Sequence, residues 1–313
     1  MLDTINKFPE TAFVAPTKIS GAADFEFPQL SEKANFKLGL EPLYKLNAMG
    51  MAEKVNPIRG LPAYALVNKQ TGQAIHSCTE QYRPVENWEG HKAVEEALRD
   101  ALPIQYLQDM YLVENIENGG RYNELKYGLK DYALQIFGDE WQSYISPVLS
   151  LKMAANSVCI VAKGECSTTG NYLSLGNRAA ASSQHVQSFT TDFIIDHIKQ
   201  VVTDFPKYVK KFQEFLNAEI TDAQVDTVIS LSRFSSTMQN EIKAQYYEVE
   251  APEMGYNRLA LYNAFCTWGS KPIDNFRVKN ADGADNVAET LATRQRKVSL
   301  VASSPFFFGK EGV

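Results

Sequence analysis

The sequence predicts an α+β fold, with a β-rich N-terminal half of antiparallel hairpins and a helical C-terminal half packed on the sheet. Three observations predict it. Short runs before about residue 185 alternate apolar and polar residues with the period of a strand. Glycine-containing turns join neighbouring runs, so they pair as hairpins. After about residue 186 the apolar period becomes helical, and strands followed by helices argue against alternating βαβ units. The chain divides into an irregular N-terminal arm (1–35), a β-rich region with one helix (36–185) and a helical region (186–313). Together they read as one composite domain, which 313 residues suffice to build.

The arm is punctuated by Pro9, Pro16 and Pro28, with one short strand expected at "DFEFP", 24–28. From 36 to 60 the pattern is irregular, with "NPIRGLP" as a loop. "AYALVN" and "QAIHSCTEQY" read as a hairpin around "KQTG", with Gly72 at the turn position that needs positive φ. Strict alternation puts Ala74, His76 and Cys78 on one face of the second strand. Pro84 breaks that strand, and Asn87 is the expected N-cap of a helix whose face is Ala93, Val94, Ala97, Leu98 and Ala101.

"LQDMYLVENIE" and "RYNELKYGLKDYALQI" flank Asn118-Gly119-Gly120, a second hairpin signal. "YISPVLSLKMAA" and "SVCIVAKGEC" follow as strands. In the first, Val148 and Ser150 oppose Leu149 and Leu151; in the second, Val158, Ile160 and Ala162 share one side. A helix then carries Phe193, Ile194, His197, Ile198 and Val201 on one face, and Pro206 is expected to end or kink it. Thr221 caps the next helix. "STMQNEIKAQYYEVE" and "NRLALYNAFCTWGSK" supply two more, and the apolar tail "VSLVASSPFFFGKEGV" is expected to dock on something.

The 31 basic and 37 acidic residues leave a net charge of −6, so binding of nucleic acid would have to rest on a local patch. Cys78, Cys159, Cys166 and Cys266 form no C-x-x-C pair and read as free thiols of a reducing compartment. His76 and Cys78 are the one close His–Cys pair. No secretory leader or membrane-length apolar run is visible, so a cytoplasmic protein without a membrane partner is expected. Phosphate-loop, dinucleotide, nucleophile-elbow and H-E-x-x-H patterns are absent, and no catalytic residue, cofactor or metal is assigned. His185 and His197 sit among apolar helical residues and read as structural.

Three stretches could hold an anion. The second hairpin carries Arg121, Lys126 and Lys130 interleaved with Tyr122, Tyr127 and Tyr132, which suits a single strand because phosphates pair with cations and bases stack on rings. "FPKYVKKFQEF" puts Lys207, Lys210 and Lys211 on one helical side beside Tyr208 and Phe212. "TRQRK" clusters Arg294, Arg296 and Lys297 in a polar loop. Each also reads simply as a solvated face or as ordinary strand composition.

The "YALVNKQTGQAIHSCTEQYRPVEN" stretch, with Tyr82, Val85 and Asn87 stepping into the helix, resembles a motif of the uncharacterised phage/plasmid-like protein family. Gly119, Gly120 and Arg121 match its "GG-R" hairpin. "SPVLSLKMAANSVCIVAKGEC" is similar to its strand pair, and Leu259, Tyr262, Asn263, Ala264 and Thr267 match a C-terminal helix. The similarity spans about residues 60–270, with "MAANS" and "CSTTGN" departing from the family's turn elements. It implies a mobile-element origin, a cytosolic location and a role in DNA metabolism or a non-enzymatic one. The functional expectation is a phage-encoded single-stranded-DNA-binding or annealing-type protein of replication or recombination, acting as a homo-oligomer. The alternatives are an effector that binds a host defence or replication protein, and a metal-dependent nuclease.

Overall fold

The computed structural model describes residues 25–120, 122–138, 141–154, 157–176, 180–185, 188–270 and 287–308. The α+β organisation is as expected, with antiparallel sheets in the N-terminal half and helices mostly in the C-terminal half.

Residues 25–30 form no strand, against the expectation at "DFEFP". Phe27 is buried and places its ring 5.2 Å from His91, so this part of the arm packs on the chain's own core. The stretch expected to be irregular contains β1 (Leu38–Pro42) and a small hairpin, β2 (Tyr44–Leu46) and β3 (Ala52–Lys54). Alternation there is too short to read locally; β1 exists because β4 (Tyr64–Asn68) offers it a full antiparallel partner.

β4 and β5 (Ala74–Cys78) form the expected first hairpin, with Gly72 at φ 72°. Its register steps by one between Leu66 and Val67. A bulge of this kind shifts the inward face, and so Ile75 and Cys78 are both buried while Ala74 is exposed, contrary to strict alternation. β1, β4 and β5 make a three-stranded sheet over a small core of Phe36, Leu66, Ile75, Cys78 and Tyr82. The first hairpin therefore belongs to a separate small sheet.

Helix α1 spans Asn87–Ala101, and its cap is Glu86, not Asn87. Glu86 and Glu89 close a reciprocal capping box, while the Asn87 side chain donates to the Ala34 carbonyl at 2.8 Å. α1 buries Ala93, Val94, Ala97 and Leu98. It approaches the large sheet at Gly90, where a Cβ would lie 2.7 Å from the Leu151 side chain.

The large sheet has seven strands. β6 (Met110–Glu117) and β7 (Tyr122–Leu129) are the second hairpin, with Gly119 at φ 65° and Gly120 at φ 103°. β8 (Leu134–Phe137) and β7 pair with successive parts of β9 (Gln142–Ala154). β10 (Ser157–Cys166) runs along the other side of β9. β11 (Tyr172–Ser174) and β12 (Ala180–Gln184) share the far edge of β10. Leu125, Tyr127, Leu149, Leu151, Ile160 and Ala162 point to the covered face and are buried.

α2 (Asp192–Leu216) covers that face with Ile194, Ile198, Val201 and Phe205 buried. It runs through Pro206 to Leu216, so the proline does not end it. α3 (Asp222–Leu231) starts at the expected Thr221, which forms a capping box with Gln224. α4 (Ser236–Gln245) continues through a π-turn, Tyr246–Glu250, into α5 (Ala251–Met254). α6 (Arg258–Ser270) is buried from Leu259 to Gly269, as a helix at the centre of a bundle must be. α7 (Val287–Ala302) packs on α6 and includes "TRQRK", which is helix and not loop. The apolar tail docks on its own chain, with the Phe308 ring 5.4 Å from Phe215 and 5.8 Å from Tyr262.

Candidate functional site

Strand alternation gives the large sheet a second face, turned away from α1 and α2, where charged and polar residues gather beside Val148 and Val161. β7 presents Glu124 and Lys126, β9 presents Ser150 and Lys152, and β10 presents Lys163 and Glu165. The register sets Glu124 opposite Lys152 and Lys126 opposite Ser150. Lys163 stands opposite Ser174 of β11, and Glu165 opposite Tyr172. Side chains directly opposite on one face come into contact, so the pairing assembles a compact charged cluster from three strands.

Glu124 is at its centre and only 4% exposed. Its carboxylate lies 3.4 Å from the Lys126 ammonium and 3.6 Å from that of Lys152, and accepts from the Ser150 hydroxyl at 2.5 Å. Burial alone would raise its pKa; the attraction of Lys152, Lys126 and Lys163 and the Ser150 bond outweigh it and hold the pKa down to about 2. Lys163 is 7% exposed. Its ammonium donates to the Gln295 side-chain oxygen of α7 at 2.7 Å, and Lys152 donates to the same oxygen at 3.4 Å. Burial, together with the positive charge of Lys152, brings the Lys163 pKa down to about 7.

Aromatic rings stand among these groups. Tyr172 lies 5.5 Å beneath the Lys126 ammonium and 5.8 Å from that of Lys163. Tyr111 donates to Glu165 at 2.5 Å, and the Lys130 ammonium sits 5.3 Å over its ring. Tyr144, farther along β9, is 42% exposed. The face thus combines cations with aromatic rings, of which Tyr144 is the exposed one.

Of the residues singled out from sequence, Tyr122, Lys126 and Lys130 belong to this face. Arg121 lies outside the described residues. Tyr127 and Tyr132 do not face outward with the lysines: Tyr127 is fully buried with its hydroxyl 2.9 Å from His91 Nδ1, and Tyr132 is buried against Phe205. Odd positions of β7 face the core, which is why Tyr127 joins Leu125 and Leu129 there. Lys207, Lys210 and Lys211 ride on α2, across the sheet from the polar face. Lys207 pairs with Asp204 at 2.6 Å and Lys211 with Glu214 at 2.7 Å, Lys210 is exposed, and the neighbouring Tyr208 and Phe212 are buried. Arg294 lies 4.8 Å over the Trp268 ring and donates to the Trp268 carbonyl at 3.3 Å, Arg296 is exposed, and Lys297 sits 5.9 Å from the Phe234 ring. The α2 set thus lies apart from the polar face, whereas the α7 stretch reaches it through Gln295, which accepts from Lys163 and Lys152. Lys152, Lys163, Tyr111, Tyr144 and Tyr172 escaped the sequence reading. Their strand parity carried the signal, but only the register of β7, β9 and β10 shows that they meet.

The residues behind the resemblance have another job. Buried Glu250, in the π-turn, accepts from Thr267 at 2.8 Å and from the Asn263 side chain. Asn171 donates to Asn263 at 3.0 Å and to Thr267 at 2.6 Å, and the Tyr262 hydroxyl donates to the Ser174 carbonyl. This network fastens the edge of β10 and β11 to α6. His76 and Cys78 gather no further ligands: among the described residues no group of three or more His, Cys, Asp or Glu is placed to hold a metal ion. His185 Nδ1 is 3.2 Å from the Tyr82 hydroxyl, and the two rings stack at 5.3 Å, joining the small sheet to the large one.

No family model matches the chain, and neither a curated protein nor a solved structure matches it. Among the described residues no helix is long and apolar enough to cross a membrane.

Proposed function

We propose that this protein binds single-stranded DNA, as an annealing-type or single-strand-binding protein of a phage or plasmid, and that the polar face of the large sheet holds the strand. The observation that supports this best is the convergence of Lys126, Lys152 and Lys163 with Tyr172 on the sheet face opposite α1 and α2. On a chain of net charge −6, the partly exposed Lys126 and Lys152 around Glu124 and the exposed Lys130 are the cations of this face that a phosphate backbone would meet. Stacking of bases on the exposed Tyr144 is tolerant of sequence, as annealing requires.

The test is fluorescence anisotropy with labelled single- and double-stranded oligonucleotides at two salt concentrations. Binding of the single strand that weakens steeply with salt is expected. Absence of binding at low salt would overturn the reading. The host-protein effector would then lead, through a different surface: a groove of about 670 Å³ between α3, α4 and α7, flanked by the exposed Leu231 and Leu300.

A further inference from the structure

Beside the lysine cluster the polar face opens into a cavity of about 570 Å³, whose lining includes Lys130, Asp131, Tyr144, Ser146, Glu165, Ser167 and Gly170. Its walls are held in place. Ser167 donates its backbone amide to the Tyr144 carbonyl at 2.8 Å, and its hydroxyl accepts from the Tyr144 amide at 2.9 Å. Gly170, at φ 64°, closes the turn with a bond to the Cys166 carbonyl at 2.8 Å. The Tyr111 hydroxyl fixes one oxygen of Glu165 at 2.5 Å, which leaves the other to accept from whatever enters. The exposed ring of Tyr144 offers a stacking surface, and Lys130 supplies a cation at the rim.

We infer that this cavity seats one base of the bound strand and selects a base carrying an exocyclic amino group, with Glu165 accepting from that group. The inference rests on the single-strand reading above. A carboxylate accepts from the amino group of cytosine, whereas thymine presents only a carbonyl at the same position, and two acceptors repel. Tyr144 stacks on either pyrimidine, and Lys130 meets the adjoining phosphate. The site is pre-organised, so little ordering opposes occupancy.

The experiment compares oligo-dC with oligo-dT of equal length by anisotropy, for the wild type, Glu165→Gln and Tyr144→Ala, each checked for an unchanged melting temperature. The wild type should prefer dC by about tenfold. Glu165→Gln should lose that preference, because an amide can donate to thymine as readily as it accepts from cytosine. Tyr144→Ala should weaken both oligonucleotides by about tenfold or more. Because Tyr144 is exposed, this variant keeps the test open if Glu165→Gln fails to fold. Equal affinity of the wild type for dC and dT would overturn the inference and leave the single-strand reading standing. A preference that survives in Glu165→Gln would overturn it as well. Failure of the wild type to bind either strand would overturn both.

Discussion

The hydroxyl of Tyr132 donates to the carbonyl of Val202 at 3.2 Å, four residues before Pro206. That carbonyl is the one an amide at position 206 would have bonded, and proline has none. A side chain from the turn after β7 thus replaces the missing rung, and α2 continues for ten residues beyond the proline, to Leu216. Tyr132→Phe should destabilise the protein by about 1 kcal/mol. In a Pro206→Ala background, where the backbone bond can form, the same change should cost less. Urea unfolding of the four proteins of this cycle checks it; equal costs in both backgrounds would show that the hydroxyl does not serve the carbonyl.

Gly119 holds φ 65° at the tip of the β6–β7 hairpin, and its carbonyl accepts from the Asn68 side chain at 3.2 Å. A β-branched residue resists that conformation, and a Cβ there would also run into the end of the Gln73 side chain. Gly119→Val should lower stability by about 1–3 kcal/mol, and Gly119→Asn by less, because asparagine tolerates the left-handed region. Thermal melts of the two variants give the order.

Salt dependence distinguishes the lysine sets. Each phosphate contact to a single strand contributes about 0.7 to the slope of log affinity against log salt. Removing Lys126 and Lys130 together should flatten the slope by about 1.4. The triple change of Lys207, Lys210 and Lys211 to Ala should leave it unaltered, since α2 lies across the sheet from the polar face. A reversed result would move the interface to α2.

The charged cluster makes stability depend on pH at both ends. Glu124 has its pKa lowered to about 2, so it contributes stability above the ordinary carboxylate value, and this is lost as pH falls from about 4.5 towards 2. Lys163 has its pKa lowered from 10.5 to about 7, so the unfolded chain binds the extra proton between those values. Stability from this group therefore rises as pH climbs from about 7 to 10.5. Glu124→Gln should flatten the acid limb, and Lys163→Met should flatten the alkaline rise and stabilise the protein near neutrality. Urea midpoints measured from pH 3 to pH 10 check both signs.

The sequence by itself determined the local elements whose cause lies within a few residues. Gly72 and Gly119 mark turns because the backbone there needs positive φ, Thr221 caps α3 because Gln224 answers it, and period two marks β7, β9 and β10. It could not place β1, whose strand character comes from β4, nor the bulge that turns both Ile75 and Cys78 inward, nor the passage of α2 through Pro206, where Tyr132, some seventy residues earlier, bonds the Val202 carbonyl. The candidate site divides in the same way. Lys126 and Lys130 were legible beside their tyrosines, but parity sent Tyr127 to the core. Lys152 and Lys163 became partners only through the register of three strands. A cross-strand pair is a long-range contact, chosen by how whole faces bury together, and no single segment of the chain contains it.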